Sequence, residues 1–300
     1  MKRWWRRVRR GDGLAALMFA SPWIIGFCWF QLYPIGASLY YSFTSYNLLR
    51  EPVYVGLDNY RNLFGHDELF RKALRNTGIF TLISVPLDLA VALIIALLLN
   101  RNIPGRGVFR AAFFFPAVIP SVATGILWIM VLNTQGGLVN VMLQRLGFSA
   151  LPWLTSPDWA MPALILLSLW NIGPAIVIFL AGLQDVPRVL YEAAQLDGAG
   201  PWSLVRNVTI PMLSPVIVFN LLIGLISALQ VFALPFILFA NKQGAQSLGG
   251  PLNAALVYSV RLYSVAFNEF RMGYASAMAW VLSVIIFTLS LLALRLSRRF

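Results

Sequence analysis

Of the 300 residues in this chain, 59% are hydrophobic and only 11% charged, with a mean hydropathy of +0.74. Soluble domains carry roughly a quarter charged residues, and one this apolar would expose greasy surface that only lipid covers, so the composition excludes a water-soluble globule. The net charge of +12 sits in short clusters between long apolar runs, a pattern that argues against a nucleic-acid-binding face and for positive-inside membrane topology.

In chain order, a basic tail over residues 1–13 leads into an apolar run from Leu14 to about Tyr33 without a small-residue cleavage site, so the run reads as a retained first span rather than a signal peptide. Cys28 lies inside it; as the single cysteine, alongside the single histidine His66, it excludes a disulfide framework within the chain and a sizeable metal cluster. About 20 apolar residues in helical form cover the roughly 30 Å hydrocarbon core. Six segments meet that requirement, at about 14–40, 76–99, 109–132, 160–182, 212–239 and 273–294, so residues 14–300 form one transmembrane domain. Continuous runs such as Leu89-Ala-Val-Ala-Leu-Ile-Ile-Ala-Leu-Leu-Leu99 do not alternate, which rules out barrel strands and makes the predicted fold class all-α.

The formally charged side chains within these span cores are Asp88 and, near the edge of the third, Arg110. An ionised group near the bilayer centre costs about 2.5–3.5 kcal/mol on insertion scales. Asp88 therefore reads either as a structural partner for a polar group on a neighbouring helix or as a functional residue, and not as a substrate ligand. Six crossings put both termini on one side, which holds 14 of the 23 Lys and Arg residues against 9 on the other; positive charge assigns that side to the cytoplasm.

Outside the spans, residues 41–75 contain Pro52, Gly56, Asn59, Asn62 and Gly65 and are expected to form a short folded cap. Residues 136–147 have helical spacing but cannot span, so they are expected to lie on the outer surface. The inner loop 184–211 reads as two short helices. Asp185 is expected to cap the first, Pro187 to occupy its first turn, and Gly198 to stop it after about three turns; Gly200 and Pro201 open the second, and Pro211 opens the fifth span. On the first helix Glu192 stands beside the small residues Ala193 and Ala194, a surface that suits seating in a groove of another protein. A helix resting on the membrane is the other reading, although it would want more cations than the one, Arg188, present there.

In the fifth span Asn220, Gly224, Ser227 and Gln230 fall within an arc of about 120°, with Phe232 nearby and Pro235 expected to break the helix one turn later. Trp170 and Asn171 in the fourth span have a similar character. Two readings stand equally for each of these residues: substrate pathway, in which amides and aromatic faces meet a sugar, or glue between helices. No Lys or Arg lies deep in a span, which favours a neutral sugar or polyol over a strongly anionic solute.

The stretch Glu192-Ala-Ala-Gln-Leu-Asp-Gly198 followed by Ile210-Pro211 resembles the EAA signature of binding-protein-dependent ABC importer permeases. Gly56-Leu-Asp-Asn-Tyr60, Arg110 before Phe115-Pro116, Gly249-Gly-Pro251 and Gly273-Tyr-Ala-Ser-Ala277 are similar to the maltose and glycerol-phosphate type sugar permeases, so the resemblance covers nearly the whole chain. One departure is Ser247-Leu248 where the family often has Thr before its glycine-rich outer loop. The resemblance implies a type I ABC importer permease fold in a bacterial plasma membrane, with the 184–211 elbow acting as a coupling helix. It also implies a second permease subunit, two ATPase subunits and an extracytoplasmic solute-binding protein as partners. In that setting Glu192 would pair with a basic residue of the ATPase, Ala193 and Ala194 would allow close packing, Gly198 would supply the turn, and Asp197 and Pro211 complete the motif. The chain has no G-x-x-x-x-G-K-[ST] phosphate loop. No catalytic residue, metal or cofactor is therefore expected on it, with ATP and Mg held by the partner ATPase. A permease for a non-sugar solute such as glycerol-phosphate or polyamine is the alternative, and an ion-coupled secondary transporter a more distant one, since repeated halves and paired intramembrane acids are missing from the sequence.

Overall fold

The computed structural model describes residues 12–101, 104–239 and 248–297; the basic tail through Gly11, Ser247, Arg298 and Arg299 lie outside them. Among the described residues, four helices are long and apolar enough to cross a bilayer, and two bent helix pairs bring the number to six if each is one span. The chain divides into two compact units, Met1–His66 with Val265–Val281, and Asp67–Ser264 with Leu282–Phe300.

In the first unit, helices α1 (Asp12–Phe27) and α2 (Tyr33–Ser42) are joined through a π turn, Cys28–Leu32, in which the Tyr33 N–H donates to the Cys28 carbonyl. Pro34 follows directly and has no N–H to continue the α register there. A two-residue antiparallel ribbon, β1 (Thr44–Ser45) and β2 (Val53–Tyr54), then leads to α3 (Asp58–Gly65). Asn59 Nδ2 donates to the carbonyls of Ser42 and Thr44, each at 2.9 Å, and so ties the cap to the end of α2. Gly273 donates its N–H to the Tyr46 carbonyl at 3.1 Å, and Trp280 Nε1 donates to Ser38 Oγ at 3.1 Å.

The second unit is built around α4 (Glu68–Asn100), which at 33 residues is roughly 50 Å long and overshoots the hydrocarbon core. Its start lies eight residues before the span expected from hydropathy, because Asp67 caps it: Oδ1 accepts from the Phe70 N–H at 2.8 Å while Oδ2 pairs with Arg261 at 3.4 Å. Against α4 pack α8 (Pro157–Ser168), α9 (Gly173–Asp185), α13 (Ser214–Leu229) and α15 (Tyr258–Tyr263). Ala92 and Ala96 let α9 approach closely, so that Ile176, Phe179, Leu180 and Leu213 bury themselves around them.

The third expected span is not one straight helix. It runs as α5 (Arg106–Phe114), a 3-10 turn over Phe115–Val118 and α6 (Ser121–Val131), bent by 100°. Pro116 and Pro120 each remove a donor from the helical ladder, and Pro120 pushes Ile119 into extended backbone (ψ 128). The fourth is bent by 48° between Asn171 and Gly173, ahead of Pro174. A Cβ at Gly173 would collide with the backbone of Phe113 and Phe114, so the two breaks pack on each other at a glycine. The fifth breaks at Gln230–Phe232 before α14 (Ala233–Phe239). Pro235 therefore sits in the first turn of α14, where no partner for its missing N–H is needed, rather than interrupting a helix. In the loop after the third span α7 (Leu138–Arg145) is held by Asn140, which is 1% exposed and bonds the backbone of Asn133 and Leu151 and the indole of Trp153. The last span is α16 (Met272–Ser297).

Gly273 leaves no room for a side chain, since a Cβ there would be driven onto the Thr44 carbonyl oxygen. Gly273→Ala is expected to destabilise the protein by about 2 kcal/mol, read as a lower melting temperature of the detergent-solubilised protein, whereas Gly36→Ala, inside α2 with nothing within 4 Å, should leave the melting temperature unchanged or slightly raise it.

Candidate functional site

The loop expected to project from the membrane does form an elbow. Helix α10 (Arg188–Leu196) begins after Pro187, which stands at the N-cap with extended backbone; Asp185 is the last residue of α9 and makes no cap, because the proline ends the preceding helix. The C-terminal stop is as the sequence requires: Gly198 has φ +83, its N–H bonds the Gln195 carbonyl at 3.0 Å, and the Ala199 N–H returns to the Ala194 carbonyl at 2.9 Å. Gly200 and Pro201 then open α11 (Pro201–Leu204), which runs through a π turn, Val205–Thr209, into the single turn α12 (Ile210–Met212) that holds Pro211. The fifth span's long helix starts two residues after that turn, at Ser214.

No residue of α10 is buried within the chain, and Val189 and Leu196 are 69% and 90% exposed. Glu192 and Ala193 stand on this open surface, and Ala194, Asp197 and Gly198 border a cleft that Ala199, Ser203 and Asn207 complete. At the base of the elbow the two legs close tightly: a Cβ on Gly182 of α9 would press against Val216 and Leu213 at the start of α13. Between the legs the hydroxyls of Tyr191 and Thr209 lie 3.0 Å apart, a contact that motif reading overlooks because neither residue belongs to the EAA pattern.

The polar residues of the fifth span do not act as one face. Asn220 is 5% exposed and donates Nδ2 to the Val216 carbonyl of its own helix at 3.1 Å, and Gly224 packs against Val85 of α4. Ser227 and Gln230 are exposed near the break, where Phe232 stacks on Phe236 and meets Tyr263 at a tilt, with ring centroids 5.1 and 5.3 Å away. Tyr263 completes this aromatic group from α15, some thirty residues further along the chain, a proximity with no signal in the sequence. In the fourth span Asn171 is exposed, while Trp170 meets Trp128 edge to face at 5.3 Å.

Asp88 is paired inside the bundle. The Ser168 hydroxyl stands 2.8 Å from Asp88 Oδ1 and 2.8 Å from the Ile165 carbonyl, sharing its hydrogen between them and linking α4 to α8. On the opposite end of α4, Lys72 Nζ donates to the Leu252 carbonyl at 2.6 Å, Asn76 Nδ2 to those of Asn253 and Leu256 at 3.2 and 3.1 Å, and Thr77 Oγ1 accepts from the Tyr258 N–H at 2.8 Å. These bonds clamp residues 252–258, directly after Gly249-Gly-Pro251, and Gly250, Leu252 and Asn253 all have positive φ.

Membrane-length helices, some of them broken, and an open two-helix elbow define the chain as an integral membrane protein. The chain belongs to the family of binding-protein-dependent transport system inner membrane components, whose model matches residues 88–300. It is 41% identical to the probable ABC transporter permease protein YesP of Bacillus subtilis over 97% of this chain and 93% of that one. Against the arabinooligosaccharides transport system permease protein AraP of the same organism the identity is 34%, over 99% and 92%. The lactose transport system permease protein LacF of Rhizobium radiobacter is 34% identical, over 92% and 91%. Among solved structures, a chain of the bacterial alginate ABC transporter in complex with an alginate pentasaccharide-bound periplasmic protein superposes with a TM-score of 0.81 at 26% identity, covering 98% of this chain and 97% of that one. The fold is that of a type I ABC importer permease.

The Ser168 contact predicts that Asp88→Asn, which keeps the accepting oxygen, preserves both assembly and uptake in membrane vesicles. Lost uptake in an assembled Asp88→Asn complex would instead assign the carboxylate a transport role.

Proposed function

We propose that this chain forms half of the translocation pathway of an ATP-driven importer for a carbohydrate, in a bacterial inner membrane with both termini in the cytoplasm. The observation that carries the reading is the elbow: α10 exposes Val189 and Leu196 beside Glu192 and Ala193, a mixed apolar and charged surface that nothing among the described residues covers. A separate ATPase is the partner that fits it. Glu192 pairs with a basic side chain of that subunit, Ala193 and Ala194 allow backbone approach, and Gly198 sets the angle at which α10 is presented. Two such ATPases hold ATP and Mg, one for this permease and one for its second permease subunit. Closure of the pair around nucleotide carries each elbow as a rigid body and turns the attached spans.

A carbohydrate substrate is supported by the company the chain keeps, since relatives serve arabinooligosaccharides and lactose and the structural neighbour was captured with an alginate-bound periplasmic protein. A binding protein of the same kind delivers the solute to this permease. The exposed Ser227 and Gln230 beside the Phe232, Phe236 and Tyr263 rings offer amide and aromatic contacts suited to a sugar, with Trp170 and Asn171 from the fourth span. Asn220 takes the helix-packing role instead, its amide satisfied within α13.

Gly198→Asp places a side chain on a left-handed backbone at a cost of about 1 kcal/mol or more, and Glu192→Lys reverses the docking charge. Each variant is expected to insert normally yet lose co-purification of the ATPase and lose substrate uptake. Wild-type association with wild-type uptake in both would contradict the reading.

A further inference from the structure

We infer that the Tyr191–Thr209 hydroxyl pair is a positioning strut that locks the two arms of the elbow into one body, so that displacement of α10 reaches the fifth span instead of being lost as a swing of the loop. The inference rests on the docking function proposed for the elbow and names residues outside the docking surface.

Without a cross-tie, α10 is joined to the spans only through two non-helical joints. Val186-Pro187 lies in extended backbone on one side, and Gly198 through Gly200, with φ +83 at the first glycine and an extended second, lies on the other. Force applied to α10 would rotate it about those joints before moving either span. The structure supplies one side-chain hydrogen bond across the gap, between Tyr191 OH and Thr209 Oγ1 at 3.0 Å.

The Thr209 end is firmly set. Thr209 is 2% exposed, within the π turn Val205–Thr209, and its hydroxyl also reaches the Leu204 carbonyl at 3.3 Å. With its own hydrogen directed at Leu204, Thr209 Oγ1 accepts from the tyrosine. The widened π register makes this possible, since the Ile210 N–H bonds the Val205 carbonyl, and it places Thr209 at the head of the path through α12 into α13. Backbone continuity finishes the linkage, with the Leu213 N–H bonding the Thr209 carbonyl at 2.9 Å and the Ile217 N–H the Leu213 carbonyl at 2.8 Å. Tyr191 stands immediately before Glu192 on the helix that receives the ATPase, so the strut joins the point of applied force to the first turn of the moving span.

The test uses the full transporter reconstituted in proteoliposomes with its binding protein, measuring solute moved per ATP hydrolysed and the amount of ATPase co-purified. Tyr191→Phe and Thr209→Val are each expected to keep the ATPase bound but to lower the solute-to-ATP ratio roughly fivefold, the factor carried by one net hydrogen bond. The double variant should be no worse than either single one, and Thr209→Ser, which retains the hydroxyl, should restore the ratio. An unchanged ratio in Tyr191→Phe, additive losses in the double variant, or loss of the ATPase from Tyr191→Phe would overturn the strut. Failure of the docking function itself is separately visible, as ATPase retained with normal uptake in Glu192→Lys.

Discussion

Whatever the elbow transmits depends on how tightly its two legs are joined at the base. There Gly182 of α9 lies so close to Val216 and Leu213 that even a methyl group would have to displace them. Both legs then run along the same long helix, α4, which Ala92 and Ala96 make approachable. Helix pairs in lipid gain little from the hydrophobic effect and rely on close packing of this kind. A load on the elbow is therefore delivered to a braced pair of helices rather than to two independent rods.

The breaks in the third, fourth and fifth spans belong to the same design. Each one frees backbone groups in a region where lipid cannot satisfy them, which is tolerated only where protein or a cavity adjoins. The first two breaks face each other across Gly173, and the last stands where Phe232, Phe236 and Tyr263 gather beside Gln230. Polar side chains outside this zone are spent within the bundle: Asp88 on Ser168 and Asp67 on Arg261 tie helices together, and Asn220 caps the Val216 carbonyl of its own helix.

Much of this was legible in the residues. Hydropathy located the apolar runs, and Gly198 announced the turn that ends α10, because the left-handed conformation it takes is rare for other residue types. What averaging over apolar runs obscured was their continuity, although Pro116, Pro120 and Pro174 stood in plain view as breakers. The N-terminal extension of α4 was hidden by Arg71, Lys72 and Arg75, which lower hydropathy without weakening a helix. The arc in the fifth span lies along α13, but burial divides it: Asn220 is buried and Gly224 packs on Val85, while Ser227 and Gln230 are exposed. Contacts distant in sequence, such as Tyr263 with Phe232 or Tyr191 with Thr209, leave no periodic trace at all.

In the proposed transporter a nucleotide-hydrolysing subunit covers the exposed surface of α10. Photo-crosslinking from position 196, where Leu196 is 90% exposed, probes that contact, with position 82 on α4 as the comparison because Leu82 is 76% exposed on a transmembrane helix. An adduct between position 196 and the ATPase is expected in intact membranes, both with and without ATP, and none from position 82. Crosslinks from position 196 that reach only lipid would contradict the proposal.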